Sequence, residues 1–336
     1  MQVSFVGLDI SKQIFQLHGV SAEGKVALRK RLRRAQVAAF MAQLPPCVIG
    51  IEAGAGAHYW ARVLQQCGHE VKLLSPQYVK PYVKGNKNDY NDAEAICEAV
   101  SRPNMRFVAV KSVAQQDLQM LHRVRERCIK ARTALVNQIR GLLSEYGIVL
   151  PTGVHRLRQV LPQLVETESL TPLGREVFPQ LYEELVTVDE QVTKCEYRIT
   201  RWFKSDPTCQ RLAQVDGIGP LTATAFVAAV ANPAAFKNGR QVSAWLGLVP
   251  RQASTGDKPV LLGISKRGDC YLRSLLIHGA RAVMRYAKTK DEERYHWVRQ
   301  VMNRRGVNPA TVALANKNAR RLWALLREPL PDQQAA

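Results

Sequence analysis

The sequence predicts an α/β fold for its N-terminal part and a mostly helical fold for the remainder. Near the N-terminus, short apolar runs rich in β-branched residues are separated by turn residues, which is typical of strands. From Val113 onwards, apolar residues recur at three- and four-residue intervals, which is typical of amphipathic helices. The chain has 336 residues, of which 46% are hydrophobic, so we expect two domains with a connector and exclude a disordered protein.

Three strands precede the first helix of the N-terminal part, and helices and strands alternate after it. The predicted elements are strands at Val3–Ile10, Ile14–Val20 and Lys25–Arg31, a helix over Ala35–Leu44, a strand at Cys47–Ile51, a helix over His58–Cys67, a strand at Glu70–Leu74 and a helix from Asp89 to Val100. A dinucleotide-binding fold would alternate strand and helix from its start. The order therefore predicts a ribonuclease-H-like domain.

The charge of the chain indicates a polyanionic partner. Lysine and arginine number 48 against 28 acidic residues, which gives a net charge of +20. No apolar run is long enough to span a membrane, and Met1–Ser11 lacks the basic start of a signal peptide. The seven cysteines are dispersed without a C-x-x-C pair, which favours reduced thiols in a cytoplasmic protein over a zinc site or a disulfide framework.

Two long helices are predicted in the middle of the chain, one starting near Val113 and one over Leu181–Phe203. They predict a helical hairpin or coiled coil whose connecting loop lies within Pro151–Pro172. A basic face of the first helix comprises Arg123, Arg125, Arg127, Lys130, Arg132 and Arg140. A solvated face and a phosphate-binding face both fit this series. The net charge of the chain favours phosphate binding.

A third, mostly helical unit follows Pro207. Glycine-rich Val215–Pro220 leads into an apolar helix over Leu221–Val230, and proline and glycine interrupt the sequence from Asn232 to Lys266. Further helices are predicted over Cys270–Ala287, Glu292–Arg305 and Pro309–Leu326. The glycines Gly217 and Gly219 are typical of a helix-hairpin-helix hinge, where backbone N–H groups approach a phosphate, although an ordinary turn before a helix also fits.

Four carboxylates occupy strand ends and a helix start. Asp9 ends the first strand, Glu52 follows the strand at Cys47–Ile51, and Asp89 and Asp92 lie three residues apart at the start of a helix. Spacing of three places both aspartates on one helical face, although acidic residues also stabilise a helix N-terminus without any other role. Four converging carboxylates repel one another unless cations neutralise them, and hard oxygen ligands favour Mg²⁺ or Mn²⁺. The set therefore predicts a metal site for phosphodiester cleavage.

Seven short motifs, in order along almost the whole chain, resemble those of a known family. They are G-L-D-I-S-K (Gly7–Lys12), I-E-A-G-A-G (Ile51–Gly56), K-N-D-Y-N-D-A (Lys87–Ala93), L-G-L-V-P-R (Leu246–Arg251), S-T-G (Ser254–Gly256), I-S-K-R-G-D (Ile264–Asp269) and L-R-S-L-L (Leu272–Leu276). The family is that of the DEDD transposases of insertion sequence family 110, which are related to the Piv-type DNA invertases. The resemblance implies a RuvC-like domain at 1–110, a basic coiled-coil connector at 111–205, a mostly helical transposase domain at 206–328 and a tail at 329–336.

The resemblance also implies a mechanism. The DEDD tetrad falls on Asp9, Glu52, Asp89 and Asp92, and Ser254 matches the serine nucleophile that becomes linked to a DNA phosphate, although by sequence alone Ser254 is most simply a turn serine. Implied partners are double-stranded donor and target DNA, a non-coding bridge RNA that specifies both by base pairing, and further copies of the chain in a dimer or tetramer.

Basic and glycine residues near these motifs are candidates for nucleic-acid binding. They are Lys12, Lys84, Lys87, Arg123, Arg127, Lys130, Gly217, Gly219, Arg251, Lys258, Lys266, Arg267 and Arg273.

Two alternatives to a recombinase stay open. A RuvC-like Mg²⁺-dependent endonuclease would use water as its nucleophile, and a non-catalytic scaffold would need none of the carboxylates.

Overall fold

The computed structural model of the chain describes residues 2–85, 88–165, 169–256, 258–290 and 292–329. The chain forms two compact units. Unit 1 comprises Met1–Ala114 together with Val230–Lys237, and unit 2 comprises Gln115–Ala229 together with Asn238–Ala336.

Unit 1 is an α/β unit built on one sheet. Its strands are β1 (Phe5–Ile10), β2 (Ile14–Val20), β3 (Val26–Arg33), β4 (Val48–Glu52), β5 (Glu70–Leu74) and β6 (Phe107–Val108). Its helices are α1 (Arg34–Ala42), α2 (Ala57–Gln66), α3 (Pro76–Val79) and α4 (Asp89–Val100). The strands predicted from sequence are all present within two residues of their expected ends. The short helix α3 and the short strand β6 are additional.

The six strands of this sheet, as far as unit 1 is described, follow the order β3-β2-β1-β4-β5-β6. The first three form an antiparallel meander, β4 and β5 run parallel to β1, and β6 is antiparallel to β5. Alternate residues of β1 and β4 point to opposite faces. Val6 and Leu8 pack with Trp60 and Leu64 of α2 in one core cluster, whereas Phe5 packs on the other face in a cluster that includes residues of α4. This mixed α/β sheet is consistent with the expected ribonuclease-H-like fold.

Unit 2 is mostly helical. Its helices are α5 (Val113–Ser144), α6 (Val154–Val165), α7 (Pro172–Ser205), α8 (Pro207–Leu212), α9 (Pro220–Val230), α10 (Gly239–Trp245), α11 (Cys270–Ala287), α12 (Glu293–Arg305) and α13 (Val307–Arg327), of which α5 and α9 extend by a residue or two into unit 1. Its strands β7 (Pro250–Gln252) and β8 (Leu261–Ile264) form an antiparallel hairpin. The long helix starting at Val113 is present as predicted. The hairpin was not predicted, because prolines and glycines interrupt the sequence pattern of its strands.

The expected loop between the two long helices contains a helix instead. Helix α6 lies within the predicted Pro151–Pro172 connection, and α7 begins nine residues earlier than the predicted Leu181. Leu157 and Leu161 of α6 are fully buried in a cluster with residues of α5 and α7. Pro162 and Pro179 occur inside these helices, which is why the sequence pattern did not indicate their full extent.

The predicted basic face of α5 is divided between two environments. Arg125 donates two hydrogen bonds to Glu196 of α7, and its side chain is only 14% exposed. Arg132 donates to Asp189 of α7 at 2.8 Å, and Arg158 of α6 donates to the other oxygen of Asp189 at 3.0 Å. The expectation of one continuous exposed face is therefore wrong for Arg125 and Arg132, because both side chains hold α5 to its neighbouring helices.

All seven cysteines are free thiols, and five of them are buried. Their dispersal along the chain predicted this. Within the described ranges, no helix combines the length and the apolar character that a bilayer crossing requires.

Candidate active site

Asp9 and Glu52 lie side by side at the carboxyl ends of two neighbouring parallel strands. The register pairs Gly7 with Gly50 and Leu8 with Ile51, so the next residues along are Asp9 and Glu52. Because side chains alternate across a sheet, each carboxylate points to the same face as the glycine two residues before it. The expected meeting of these two strand ends is confirmed.

Two glycines let helix α4 lie directly on that face of the sheet. A Cβ atom on Gly7 would lie 2.1 Å from the Ala93 carbonyl oxygen and 2.4 Å from the Cys97 nitrogen. A Cβ on Gly50 would lie 2.8 Å from Cβ of Val100. Only glycine permits backbone-to-backbone packing this close. The helix is thereby held along β1 and β4, with its N-terminal turn toward the ends that carry the carboxylates.

The N-terminal turn of α4 carries Asp89 and Asp92. Asn88 caps the helix, and its side-chain oxygen accepts a hydrogen bond from the Tyr90 N–H at 3.1 Å. Ala93, whose carbonyl packs against Gly7, is the residue that follows Asp92. Asp9, Glu52 and Asp92 are half-buried and Asp89 is exposed.

The four carboxylates interact electrostatically as one group. Burial, together with the negative charges of Asp92, Asp89 and Glu52, raises the pKa of Asp9 to about 6. Burial also raises the pKa of Glu52, with a second contribution from the charge of Asp92. A cluster of like charges that disfavours its own ionisation stores free energy, which a bound cation would release.

The donor set fits a hard divalent cation in ligand type and in charge, but its side chains do not form a ligand shell. In the part of the chain that the structure describes, no three histidine, cysteine, aspartate or glutamate side chains are arranged to hold a metal ion. The two observations agree because charge repulsion extends over many ångströms, whereas Mg²⁺ needs oxygens at about 2.1 Å. The carboxylates are neighbours that would have to close around a cation.

The candidate lysines of unit 1 that the structure describes are exposed. Lys12 is exposed in the turn after β1, and Lys84 is exposed and lies 3.8 Å from Glu94 of α4. The candidate residue Lys87 lies outside the described residues.

The predicted nucleophile Ser254 lies in unit 2, on the loop of the β7–β8 hairpin. Its Oγ accepts a hydrogen bond from the Val260 N–H at 3.1 Å, and the neighbouring Ala253 N–H donates to the Val260 carbonyl at 3.0 Å. Among the described residues, the hydrogen of the Ser254 hydroxyl has no acceptor. Ser254 is thus half-buried and fixed by its own hairpin. The hairpin that carries this residue is not among the elements predicted from the sequence.

The basic residues around the hairpin differ in accessibility. Arg251, Lys258, Lys266 and Arg267 are exposed and remain available to a phosphate. Arg273 is not available, because it is 9% exposed and its guanidinium donates to the carbonyls of Leu246 at 3.0 Å and Arg267 at 2.7 Å. The prediction that Arg273 clamps a phosphate is therefore corrected. This arginine joins the loop before β7 to the loop before α11.

The two glycines of the predicted hinge have different surroundings. Gly217 has a φ of +82°, and a Cβ on it would lie 2.6 Å from the carbonyl oxygen of Gly279 in α11. Packing alone thus explains Gly217. Gly219 is exposed with open space around it, so a phosphate could approach its backbone.

Three candidates on α5 point away from the paired arginines. Arg123 is exposed, Arg127 is exposed with its Nη2 atom 3.7 Å from the Cys128 sulfur, and Lys130 pairs with Glu126 one turn away at 2.6 Å. An exposed pair one turn apart contributes little to stability, so Lys130 can exchange Glu126 for a phosphate at small cost.

Comparisons with known proteins give the class of this enzyme. Residues 6–148 match a DEDD family model described as "Transposase", and residues 209–296 match one described as "Transposase IS116/IS110/IS902 family". The carboxylate-ended sheet and the basic helical unit thus belong to a transposase, an enzyme that cleaves and transfers DNA strands. DEDD transposases generally depend on a divalent metal.

Curated relatives extend the match over nearly the full chain. A "Probable family 20 transposase" of Pseudomonas aeruginosa is 51% identical over 97% of this chain and 97% of the relative. The "Transposase for insertion sequence element IS1111A" of Coxiella burnetii is 48% identical over 96% of this chain and 90% of the relative. The corresponding protein for IS1328 of Yersinia enterocolitica is 40% identical over 96% of both. The chain therefore belongs to the IS116/IS110/IS902 family of transposases, as the seven motifs predicted.

Proposed function

We propose that this transposase is a site-specific recombinase that mobilises its own insertion sequence through a covalent link between Ser254 and a DNA phosphate. The observation that carries the proposal is that each unit holds one set of reactive side chains. Four mutually repelling carboxylates lie at one sheet end of unit 1 and on the adjoining first turn of α4, and a hydroxyl is held on a basic hairpin of unit 2.

Ser254 would act as the nucleophile. Its oxygen forms a bond to phosphorus while the bond from phosphorus to a deoxyribose oxygen breaks, and the proton lost by the serine balances the one gained by the leaving oxygen. Attack by the hydroxyl of another strand reverses these changes and restores a phosphodiester. The hydrogen bond from Val260 orients the serine oxygen without consuming its proton. Arg251 and Lys258 would hold the phosphate in place.

Asp9, Glu52, Asp89 and Asp92 would hold Mg²⁺, or Mn²⁺ in its place. The bound cation would supply charge stabilisation at the reacting phosphate. The residues themselves contribute neighbouring hard oxygens that would close around the cation. The half-buried setting of Asp9 limits competition from water.

The remaining partners are those that the resemblance to the family implies. Donor and target DNA would be bound as duplexes, and a bridge RNA encoded by the element would specify both by base pairing. The exposed residues Arg123, Arg127 and Lys130 of the coiled-coil connector are the surface we assign to that RNA. Two DNA duplexes require at least a dimer, and a tetramer fits a complete synapse. We place this activity in the cytoplasm, with the three-domain division 1–110, 111–205 and 206–328.

A covalent-adduct assay tests the proposal. Labelled target DNA is incubated with protein, Mg²⁺ and the RNA that copurifies, and the products are separated under denaturing conditions. Wild type should give a protein–DNA adduct, and Ser254→Ala should give none, with strand transfer reduced about a thousandfold or more. Thr255→Ala, which removes the neighbouring hydroxyl, should retain the adduct. DNA nicking that survives Ser254→Ala without any adduct would instead support an endonuclease that uses water.

A further inference from the structure

A cationic pocket in unit 2 is lined by residues that belong to none of the motifs considered above. It has a volume of about 450 Å³ and opens between helices α10 and α13. Three of its cations, Lys317, Arg320 and Arg321, lie on one face of α13 because they are spaced by three and four residues. Arg240 of α10 supplies the fourth.

Close packing of the two helices brings these cations together. A Cβ on Gly239 would lie 3.0 Å from the Arg320 Cβ and 3.1 Å from its Cα, so the start of α10 rests on the backbone of α13. The pocket is therefore built on two helices of unit 2 that pack closely together. Its wall is completed by Trp323.

The cations of the pocket are not neutralised by any carboxylate that the structure describes. Among the described residues, no carboxylate forms an ion pair with Arg240, Lys317, Arg320 or Arg321. Burial lowers the pKa of Lys317, and the charges of Arg321 and Arg320 lower it further. The Arg320 Nε–H is shielded from solvent and has no hydrogen-bond acceptor among the described groups. Each feature costs free energy that a bound anion would recover.

The chemistry of the lining indicates the type of anion. Arginine side chains present forked N–H groups that match phosphate oxygens. The aromatic rings are already engaged by cations of the protein, with Arg327 5.2 Å from the Trp323 ring and Lys317 4.3 Å from the Trp297 ring. Recognition of unstacked bases would need free aromatic faces. The pocket is therefore suited to backbone phosphates of a paired strand.

We infer that the pocket formed by Arg240, Lys317, Arg320 and Arg321 binds the phosphodiester backbone of duplex DNA. The inference rests on the DNA-processing activity of the chain but not on Ser254 or on the metal. The site adds a second phosphate contact surface in unit 2, on helices distinct from the serine hairpin. It would hold the duplex against sliding while strands are exchanged.

The test measures DNA binding without chemistry. Fluorescence anisotropy of a short labelled duplex is followed over a salt titration, in EDTA, with Ser254→Ala as the parent protein. Arg240→Gln with Arg321→Gln removes two exposed cations. We expect binding about tenfold weaker at low salt and a slope of log affinity against log salt reduced by about two. Arg304→Gln with Arg305→Gln, an exposed basic pair at the end of α12, removes the same charge and should change neither.

Three outcomes would overturn the inference. They are an unchanged salt slope in the pocket variant, an equal loss in the Arg304 and Arg305 control, and a loss seen only with an RNA of the same length. Melting temperature checks the fold, and Arg321→Gln alone, with about half the effect, replaces the double variant if that one is unstable. The adduct assay is independent of this result, so failure here leaves the role of Ser254 unaffected.

Discussion

A single buried histidine connects three helices of unit 2. His122 of α5 is 3% exposed, and its ring nitrogens lie 3.0 Å from the Tyr271 hydroxyl and 3.0 Å from the Thr224 hydroxyl. Thr224 donates to the Pro220 carbonyl at 2.6 Å, so its oxygen must accept from Nε2–H of His122. The other nitrogen then accepts from Tyr271, whose oxygen accepts from Arg125. Every polar atom is satisfied only when the imidazole is neutral.

This arrangement predicts acid sensitivity. Burial, together with the charge of Arg125, lowers the pKa of His122 from 6.5 to about 4. Since the folded pKa lies below the unfolded one, the unfolded state binds more protons between pH 6.5 and 4. The stability present above pH 6.5 is therefore lost as the pH falls toward 4, by roughly 3 kcal/mol.

Chemical denaturation across this pH range checks the prediction. His122→Gln should lower stability by about 1–3 kcal/mol at neutral pH and flatten the pH dependence, because the buried partners lose a matched acceptor and donor and the titrating group is gone. His278→Gln, which replaces an exposed histidine of α11, should leave the stability at neutral pH and its pH dependence unchanged. A His122→Gln curve parallel to wild type would contradict the assignment.

The pKa of Asp9 predicts the opposite pH dependence of stability in unit 1. Its folded pKa of about 6 lies above the unfolded value of 3.8, so its contribution to stability is full below pH 3.8 and is lost as the pH rises through 6. Asp9→Asn should therefore stabilise the protein in EDTA at neutral pH by about 1 kcal/mol after allowance for solvent screening, a few degrees in Tm.

Thermal melting of the two proteins at a series of pH values tests the role of Asp9. Glu94→Gln is the control, since Glu94 lies on the same helix as Asp92 but faces Arg29 at 3.9 Å and Lys84 at 3.8 Å. Its Tm should stay within about a degree of wild type. Destabilisation by Asp9→Asn at neutral pH would show that the carboxylate is not in a repulsive cluster.

At the scale of elements, the site depends on how closely α4 approaches the sheet. Gly7→Ala would place a methyl group 2.1 Å from the Ala93 carbonyl, so α4 must move and Asp89 and Asp92 must move with it. We expect a loss of about 2–3 kcal/mol in stability and a larger relative loss of strand transfer. Gly141→Ala, on α5 with open space around it, should be neutral or stabilising. Full activity in Gly7→Ala would contradict the proposed placement of α4.

The sequence predicted those elements whose patterns are local. Strand β5 (Glu70–Leu74) and helices α4 and α11 have the predicted ends, because turn residues and caps mark them. Helix α6 was missed because Pro162 lies inside it. The roles of Gly7 and Gly50 were missed because they depend on contacts with α4, which no local pattern shows. Both lie two residues before a candidate carboxylate, and that shared spacing was the available signal.

At the scale of the whole molecule, the net charge of +20 indicated a nucleic-acid partner but not which cations contact it. Arg125 and Arg132 form ion pairs with carboxylates of a neighbouring helix, and Arg273 is buried against backbone carbonyls. The cations around Lys317 are unneutralised by the described residues, although they belong to none of the motifs. Sequence gives the sum of the charges, whereas the pairing depends on which helices meet.

The central claim is that the four carboxylates form one metal site, and Mn²⁺ binding measured by calorimetry tests it most directly. Wild type should release heat on binding Mn²⁺, and Asp9→Asn, Glu52→Gln and Asp92→Asn should each abolish that signal while the matched substitution Glu94→Gln retains it. If the three variants bind Mn²⁺ as tightly as wild type, the carboxylates at the end of the sheet are not the metal site.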